Sequence, residues 1–169
     1  MTAAAFSRPR RLARAIVTLG RSLGLEHSPT ATSYMGGYRC ESMLHELAHL
    51  ATLTGCDLPK VDSWKDDAIA SMLSVRSASD RLSNEVDAVI VELLVSEVCH
   101  LKIDKVALGE YAATGAGCTY DTLMTRLRAR RAVDRKTALR MPVTNPTGSS
   151  YLRRCAALII RRARALREP

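Results

Sequence analysis

The sequence predicts a mainly α-helical fold with little β structure, and three observations favour it. Residues 80–108 contain no glycine or proline and form a stretch far longer than a typical strand of about five or six residues. Apolar residues recur at helical spacing near both ends of the chain. His45 and His49 are four residues apart, the spacing that brings two side chains to one face of a helix. A chain of 169 residues is long enough for one domain with a hydrophobic core.

The predicted helices are separated by linkers that contain glycine or proline. The first covers residues 10–23, with Leu12, Ile16 and Leu19 at helical spacing and Gly24 as its C-terminal signal. Further helices are predicted at residues 38–54, 65–75, 80–108, 120–132 and 151–166. Residues 30–35 are a candidate for a short edge strand. The segment 80–108 is the most apolar of these, and its length favours a buried helix over a buried strand.

Charge is distributed unevenly along the chain, whose formal net charge is +8. Residues 1–25 contain five arginines and no acidic residue, and residues 119–169 contain thirteen basic residues and three acidic ones. Residues 26–118 contain seven basic and fourteen acidic residues. We therefore predict a basic N-terminal helix, a core of residues 26–118, and basic C-terminal helices packed on that core. Basic flanks can bind nucleic acid weakly, but solvated helix faces are the simpler interpretation because aromatic residues for base stacking are scarce.

The cysteines and the absence of a long apolar run bear on location. The five cysteines are odd in number and include no C-x-x-C pair, which predicts reduced thiols in the cytoplasm rather than a disulfide framework. No apolar run approaches the roughly 18–20 residues that span a bilayer, and residues 15–19 are too short for a secretory core. An arginine-rich start is also typical of transit peptides, but its apolar spacing favours an amphipathic helix. We expect a soluble cytoplasmic protein without membrane contact.

The stretch His45-Glu46-Leu47-Ala48-His49 predicts a metal site with a catalytic base. Four residues turn an α-helix by about 40° beyond one full turn, so both imidazoles leave the same face and can converge on one Zn²⁺. Glu46 lies beside that face, where it can activate a water molecule. Two structural histidines on a partly buried helix are the alternative interpretation.

A catalytic zinc ion normally has three protein ligands, so a third ligand is needed. Glu85 is the best candidate because it opens the most apolar helix, 36 residues after His49, where a carboxylate is costly unless it is paired or bound to metal. Glu92 shares its helix face and is either the alternative ligand or an acceptor for a histidine N–H. A charge that complements the helix dipole is the other interpretation of Glu85. Thr52 and Gly55 stand where the extended metzincin pattern requires glycine and histidine, which excludes that class.

The histidine stretch followed by Glu85-Val86-Asp87-Ala88 resembles the gluzincin metallopeptidases, whose third zinc ligand is a glutamate in an E-x-x-A-(D/E) helix. The tracts 43–49 and 98–103 also resemble compact metallopeptidase domains of phage and mobile-element proteins, including anti-restriction and repressor-cleaving types. The resemblance covers residues 34–104 and implies a zincin-like helical core. One departure is Val89, which stands where the family has an acidic residue. Either that contact is missing here or Glu92 replaces it.

The resemblance implies hydrolysis of a peptide bond in a protein substrate. Zinc held by His45, His49 and Glu85 would lower the pKa of water and polarise the substrate carbonyl. Glu46 would take the water proton and deliver it to the leaving amine. An oxyanion stabiliser is also required, and spacing does not choose among four candidates. These are Tyr34, Tyr38, His100 and Tyr120.

Two functions from different classes follow from these patterns. The leading hypothesis is a small zinc-dependent endopeptidase, whose activity would depend on Glu46. The alternative is a non-hydrolytic binding module, in which the metal is structural or absent and the basic helices bind nucleic acid. Salt-sensitive nucleic-acid binding that survives the loss of Glu46 would distinguish the second from the first.

Overall fold

A computed structural model describes residues 4–25, 41–55, 58, 77–138 and 149–166, and all regular structure in these ranges is α-helical. The predicted mainly α fold is confirmed. The six helices are α1 (Ala4–Ser22), α2 (Glu41–Leu53), α3 (Ala78–Cys99), α4 (Lys105–Ala116), α5 (Tyr120–Ala138) and α6 (Ser149–Ala165). The predicted edge strand at 30–35 and the predicted helix at 65–75 lie outside the described residues. None of the described helices is long and apolar enough to cross a membrane.

The single helix predicted over residues 80–108 is wrong, because the chain forms two helices there, α3 and α4. His100 ends α3 with a left-handed backbone at φ 54°, a conformation that is uncommon outside glycine. Asp104 then begins α4, since its side chain accepts hydrogen bonds from the backbone N–H groups of Val106 and Ala107. Capping by these two residues separates α3 from α4 although residues 100–104 contain no glycine or proline.

One cluster of buried side chains forms the core, and all six helices contribute to it. Helix α3 packs against α2, α4, α5 and α6, while α1 packs against α2 and α6. Helix α2 lies at the centre, where Met43, Leu44, Leu47 and Leu50 have no exposed surface. The stretch from His45 to His49 on α2 therefore lies among apolar neighbours. The division of the chain into residues 1–25, 26–118 and 119–169 stays a prediction.

The basic helices α1 and α6 have one apolar face and one arginine-rich face. In α1 the predicted spacing holds, because Leu12, Ile16 and Leu19 are buried while Arg11 and Arg14 are exposed. In α6 four residues at helical spacing are buried and four arginines are exposed. The buried four are Leu152, Cys155, Ile159 and Ala163, and the exposed four are Arg153, Arg154, Arg161 and Arg164. These exposed arginines therefore lie on the solvent side of the bundle.

Candidate metal centre

Helices α2 and α3 bring two histidines and one glutamate together in the buried interior. His45 and His49 lie one turn apart on α2, with ring centroids separated by 4.7 Å in an edge-to-face arrangement. The Nε2 atoms of both rings face the same Glu85 Oε2, at 3.0 Å from His45 and 3.3 Å from His49. One ligand atom from each residue lies within 4.8 Å of the other two. This buried group could hold a metal ion.

Glu92 meets the same cluster from the opposite side of the His45 ring. Its Oε2 lies 3.0 Å from His45 Nδ1, and its side chain has no exposed surface. A carboxylate that accepts the Nδ1 proton fixes the tautomer of a histidine and leaves Nε2 for a metal. Glu85 thus belongs to the group of candidate ligand atoms, while Glu92 contacts the other nitrogen of His45. Val89, the departure from the gluzincin pattern, is buried on the same helix.

Charge in this interior is strongly coupled. Burial alone would lower the pKa of His45, but hydrogen bonds and charge interactions with Glu85 and Glu92 outweigh it and raise the pKa to about 10. For Glu85, burial would raise the pKa, but hydrogen bonds from His45 and His49 outweigh it and lower the pKa to about 2. Burial raises the pKa of Glu92, and the hydrogen bond from His45 acts in the opposite direction. A positive charge on His45 therefore offsets the charge of the neighbouring buried carboxylates.

A metal ion fits this set of residues. Two imidazoles and a carboxylate are a common donor set for transition metals, and buried carboxylates need a compensating positive charge. Within the described residues, His49 Nδ1 and Glu92 Oε1 are buried atoms without a hydrogen-bond partner. Such groups are rare in protein interiors unless the region has a chemical role or an additional ligand.

Helix α4 adds a tyrosine that sequence analysis missed. Tyr111 Oη donates a hydrogen bond of 3.1 Å to Glu46 Oε1, and its ring lies edge-on to His45 with centroids 5.3 Å apart. Both Tyr111 and Glu46 are partly exposed, unlike the two histidines. Burial, followed by the negative charge of Glu46, raises the pKa of Tyr111, so its hydroxyl keeps its proton near neutral pH. Glu46 is thus held by a donor from another helix.

Gly115, one turn after Tyr111, allows α4 to lie close to the proposed ligand Glu85. A Cβ atom at this position would collide with Glu85 Oε1 and come within 2.9 Å of its Cδ. Gly115 is itself exposed, so the cluster approaches the protein surface at this point. Helix α4 therefore contacts the centre twice from one face, at Glu46 and at Glu85.

The four predicted candidates for the oxyanion stabiliser do not include Tyr111. Tyr34 and Tyr38 lie outside the described residues. His100 is exposed and caps α3, and Tyr120 begins α5 with its ring close to Gly109. The signal that could have identified Tyr111 is Asp104, a helix-starting residue that would have placed 111 and 115 on one face of a separate helix.

Comparison of the chain with protein-family models, with curated proteins and with solved structures finds no match.

Proposed function

We propose that this protein is a zinc-dependent metallopeptidase of the gluzincin type, which hydrolyses peptide bonds of a protein substrate in the cytoplasm. One observation carries the proposal: the Nε2 atoms of His45 and His49 converge on a carboxylate oxygen of Glu85. Glu46, on the same helix as the two histidines, is partly exposed beside this group. Three ligands and one carboxylate next to them are the components of a hydrolytic zinc site.

Zinc is the proposed metal because three nitrogen and oxygen ligands leave a fourth position for water or substrate. His45, His49 and Glu85 would hold the ion, and the Glu92 carboxylate would orient His45 through Nδ1. A zinc ion bound there would supply a Lewis acid that acidifies water and polarises a peptide carbonyl.

Glu46 is assigned as the general base and acid. Its carboxylate accepts a proton from the attacking water and then transfers that proton to the nitrogen of the leaving amine. Partial exposure suits this role, because water and a peptide must reach Glu46 while the three candidate ligands stay buried. Cys99, Cys118 and Cys155 form no disulfide, which is consistent with a reducing compartment.

The decisive experiment compares the wild-type chain with Glu46→Gln on a peptide library prepared from a digested proteome, with new termini read by mass spectrometry. We expect about one zinc ion per chain in both proteins. Hydrolysis should fall by about 10²- to 10⁴-fold in the variant, because the amide cannot accept the proton. His45→Ala should contain no stoichiometric zinc. Equal hydrolysis by wild type and Glu46→Gln, or a wild type that binds no zinc, would contradict the proposal.

The alternative proposal is a nucleic-acid-binding module, and the exposed arginines of α6 favour it. In that case, DNA or RNA binding should be salt-sensitive and unchanged by Glu46→Gln. The two proposals are therefore separated by the same variant, which abolishes hydrolysis under one and leaves binding intact under the other.

A further inference from the structure

Helix α4 contacts the centre at Glu46, a carboxylate that does not belong to the group of candidate metal ligands. The residues joined by this contact, Glu46 and Tyr111, are 65 positions apart in the chain. Because their helices are separate in sequence, the hydrogen bond fixes Glu46 relative to α4 rather than only to its own helix. A glutamate side chain has several rotamers, and a single donor on one oxygen restricts them.

We infer that Tyr111 is a positioning residue for Glu46, which it holds through Oε1 so that Oε2 is the oxygen that exchanges protons with water and the leaving amine. This inference rests on the proposed function and deepens it by assigning different tasks to the two oxygens of one carboxylate. Tyr111 acts through Glu46 and does not bind the metal.

The surroundings of Glu46 explain why such a donor is needed. Glu85 and Glu92 place two further carboxylates in the same interior, one at each ring nitrogen of His45. A hydrogen bond from a tyrosine hydroxyl to one carboxylate oxygen of Glu46 fixes the orientation of that carboxylate. Both ring nitrogens of His45 already face a carboxylate, and Glu46 Oε1 instead accepts its hydrogen bond from Tyr111. The hydroxyl of Tyr111 therefore sets the position of Glu46.

Tyr111→Phe tests the inference, because it keeps the ring beside His45 and removes only the hydroxyl. The matched control is Tyr151→Phe, which removes a 2.6 Å hydrogen bond to the carbonyl of Thr52, near the end of α2 and away from Glu46. We expect zinc content and KM to stay unchanged in Tyr111→Phe while kcat falls about 10- to 100-fold, a range typical of a misplaced catalytic group. In the control, kcat should stay within about twofold of wild type, whereas thermal stability should fall.

A double variant distinguishes positioning from an independent role. Once Glu46 is Gln, adding Tyr111→Phe should cause no further loss of kcat, because residues that act as one unit are not additive. A further loss in that background would overturn the inference, as would a rise in KM with unchanged kcat or a loss of zinc from Tyr111→Phe.

Unfolding of the zinc-free chain gives a readout that does not require hydrolysis. Tyr111→Phe should lower the midpoint of thermal unfolding in the wild-type background and lower it less when Glu46 is Leu, because the partner is already absent. Equal shifts in both backgrounds would mean that the two residues are not coupled and would overturn the inference. If the wild type hydrolyses nothing, the proposed function is wrong. The unfolding midpoints of the single and double variants still decide whether Tyr111 holds Glu46.

Discussion

The buried centre between α2, α3 and α4 and the arginine-rich faces of α5 and α6 are two polar regions with opposite physical constraints. In the centre, His45, Glu85 and Glu92 are almost fully buried, and each contacts a partner within 3.0 Å. On the outer helices, arginines such as Arg128 and Arg161 are exposed to water. Arg130 lies 3.5 Å from Asp87, but both side chains are partly exposed, so this pair contributes little.

This difference shows which polar residues carry functional information. A buried carboxylate without a partner costs several kcal/mol, so its position must be explained by a specific contact or a ligand. An exposed arginine is stable in water whether or not it binds anything. The centre therefore supports a detailed chemical proposal, whereas the basic faces support only a statement about charge.

The largest effect is expected from the two buried glutamates of α3. Glu85→Gln should nearly abolish zinc binding, because Glu85 faces the Nε2 atoms of both His45 and His49. Glu92→Gln should weaken zinc affinity by about 10- to 100-fold, since Glu92 contacts only the outer nitrogen of His45. Competition with a chromophoric chelator measures both affinities.

The ranking of these two variants is the decisive outcome. If Glu92→Gln weakens zinc binding more than Glu85→Gln, Glu92 would be the metal ligand and the orientation of His45 proposed above would be incorrect. Equal affinities for wild type and both variants would mean that the metal binds elsewhere. Circular dichroism of each variant should retain the helical spectrum, which separates a lost ligand from a lost fold.

A smaller effect is expected from Gly115→Ala, which adds one methyl group against Glu85. The collision should displace the carboxylate and weaken zinc binding by about tenfold, the low end for residues that orient a ligand. Gly109→Ala is the matched control on the same helix, because its Cβ would come within 2.6 Å of the ring of Tyr120 on α5 and not against Glu85. Alanine is favoured over glycine in a helix by about 1 kcal/mol, so a loss of affinity cannot come from weaker helix formation. Unchanged zinc affinity in Gly115→Ala would show that α4 does not constrain Glu85.

Local periodicity in the sequence was enough to predict that the fold is mainly helical. The four-residue spacing of His45 and His49 fixes their common face before any tertiary contact is known. Glu85 and Glu92 could be identified because a charge in a strongly apolar helix demands a partner. The choice between them as ligand could not be made, since residues seven apart share a face and only the opposite helix decides which nitrogen each one meets.

The parts that were missed depend on capping and on long-range contact. The break between α3 and α4 is made by His100 and Asp104, whose effect competes with strong helical periodicity on both sides. Once that break was missed, residues 105–116 had no separate helix, and Tyr111 and Gly115 could not be placed on one face. Their partners, Glu46 and Glu85, are 65 and 30 residues away in the chain, and no local sequence pattern predicts such long-range contacts.

The smallest effect on the centre is expected from the arginines of α6. Arg161 and Arg164 are exposed, so replacing both with Gln should leave zinc affinity unchanged. If this face binds duplex DNA, the slope of log affinity against log salt should decrease in magnitude by up to about 1.8, or about 0.9 for each lost phosphate contact. Fluorescence anisotropy with a labelled duplex at several salt concentrations measures the slope.

Arg162 provides the control on the same helix. Its guanidinium donates a hydrogen bond to the carbonyl of Leu58 and is partly buried, so Arg162→Gln should lower thermal stability more than it changes the salt slope. A peptidase that acts on protein alone should cleave its substrate equally with and without DNA. If cleavage requires DNA and the Arg161/Arg164 variant loses that cleavage with zinc still bound, the basic face and the buried centre would be two parts of one site. The basic face would then recruit the substrate through DNA, and the buried centre would cleave it.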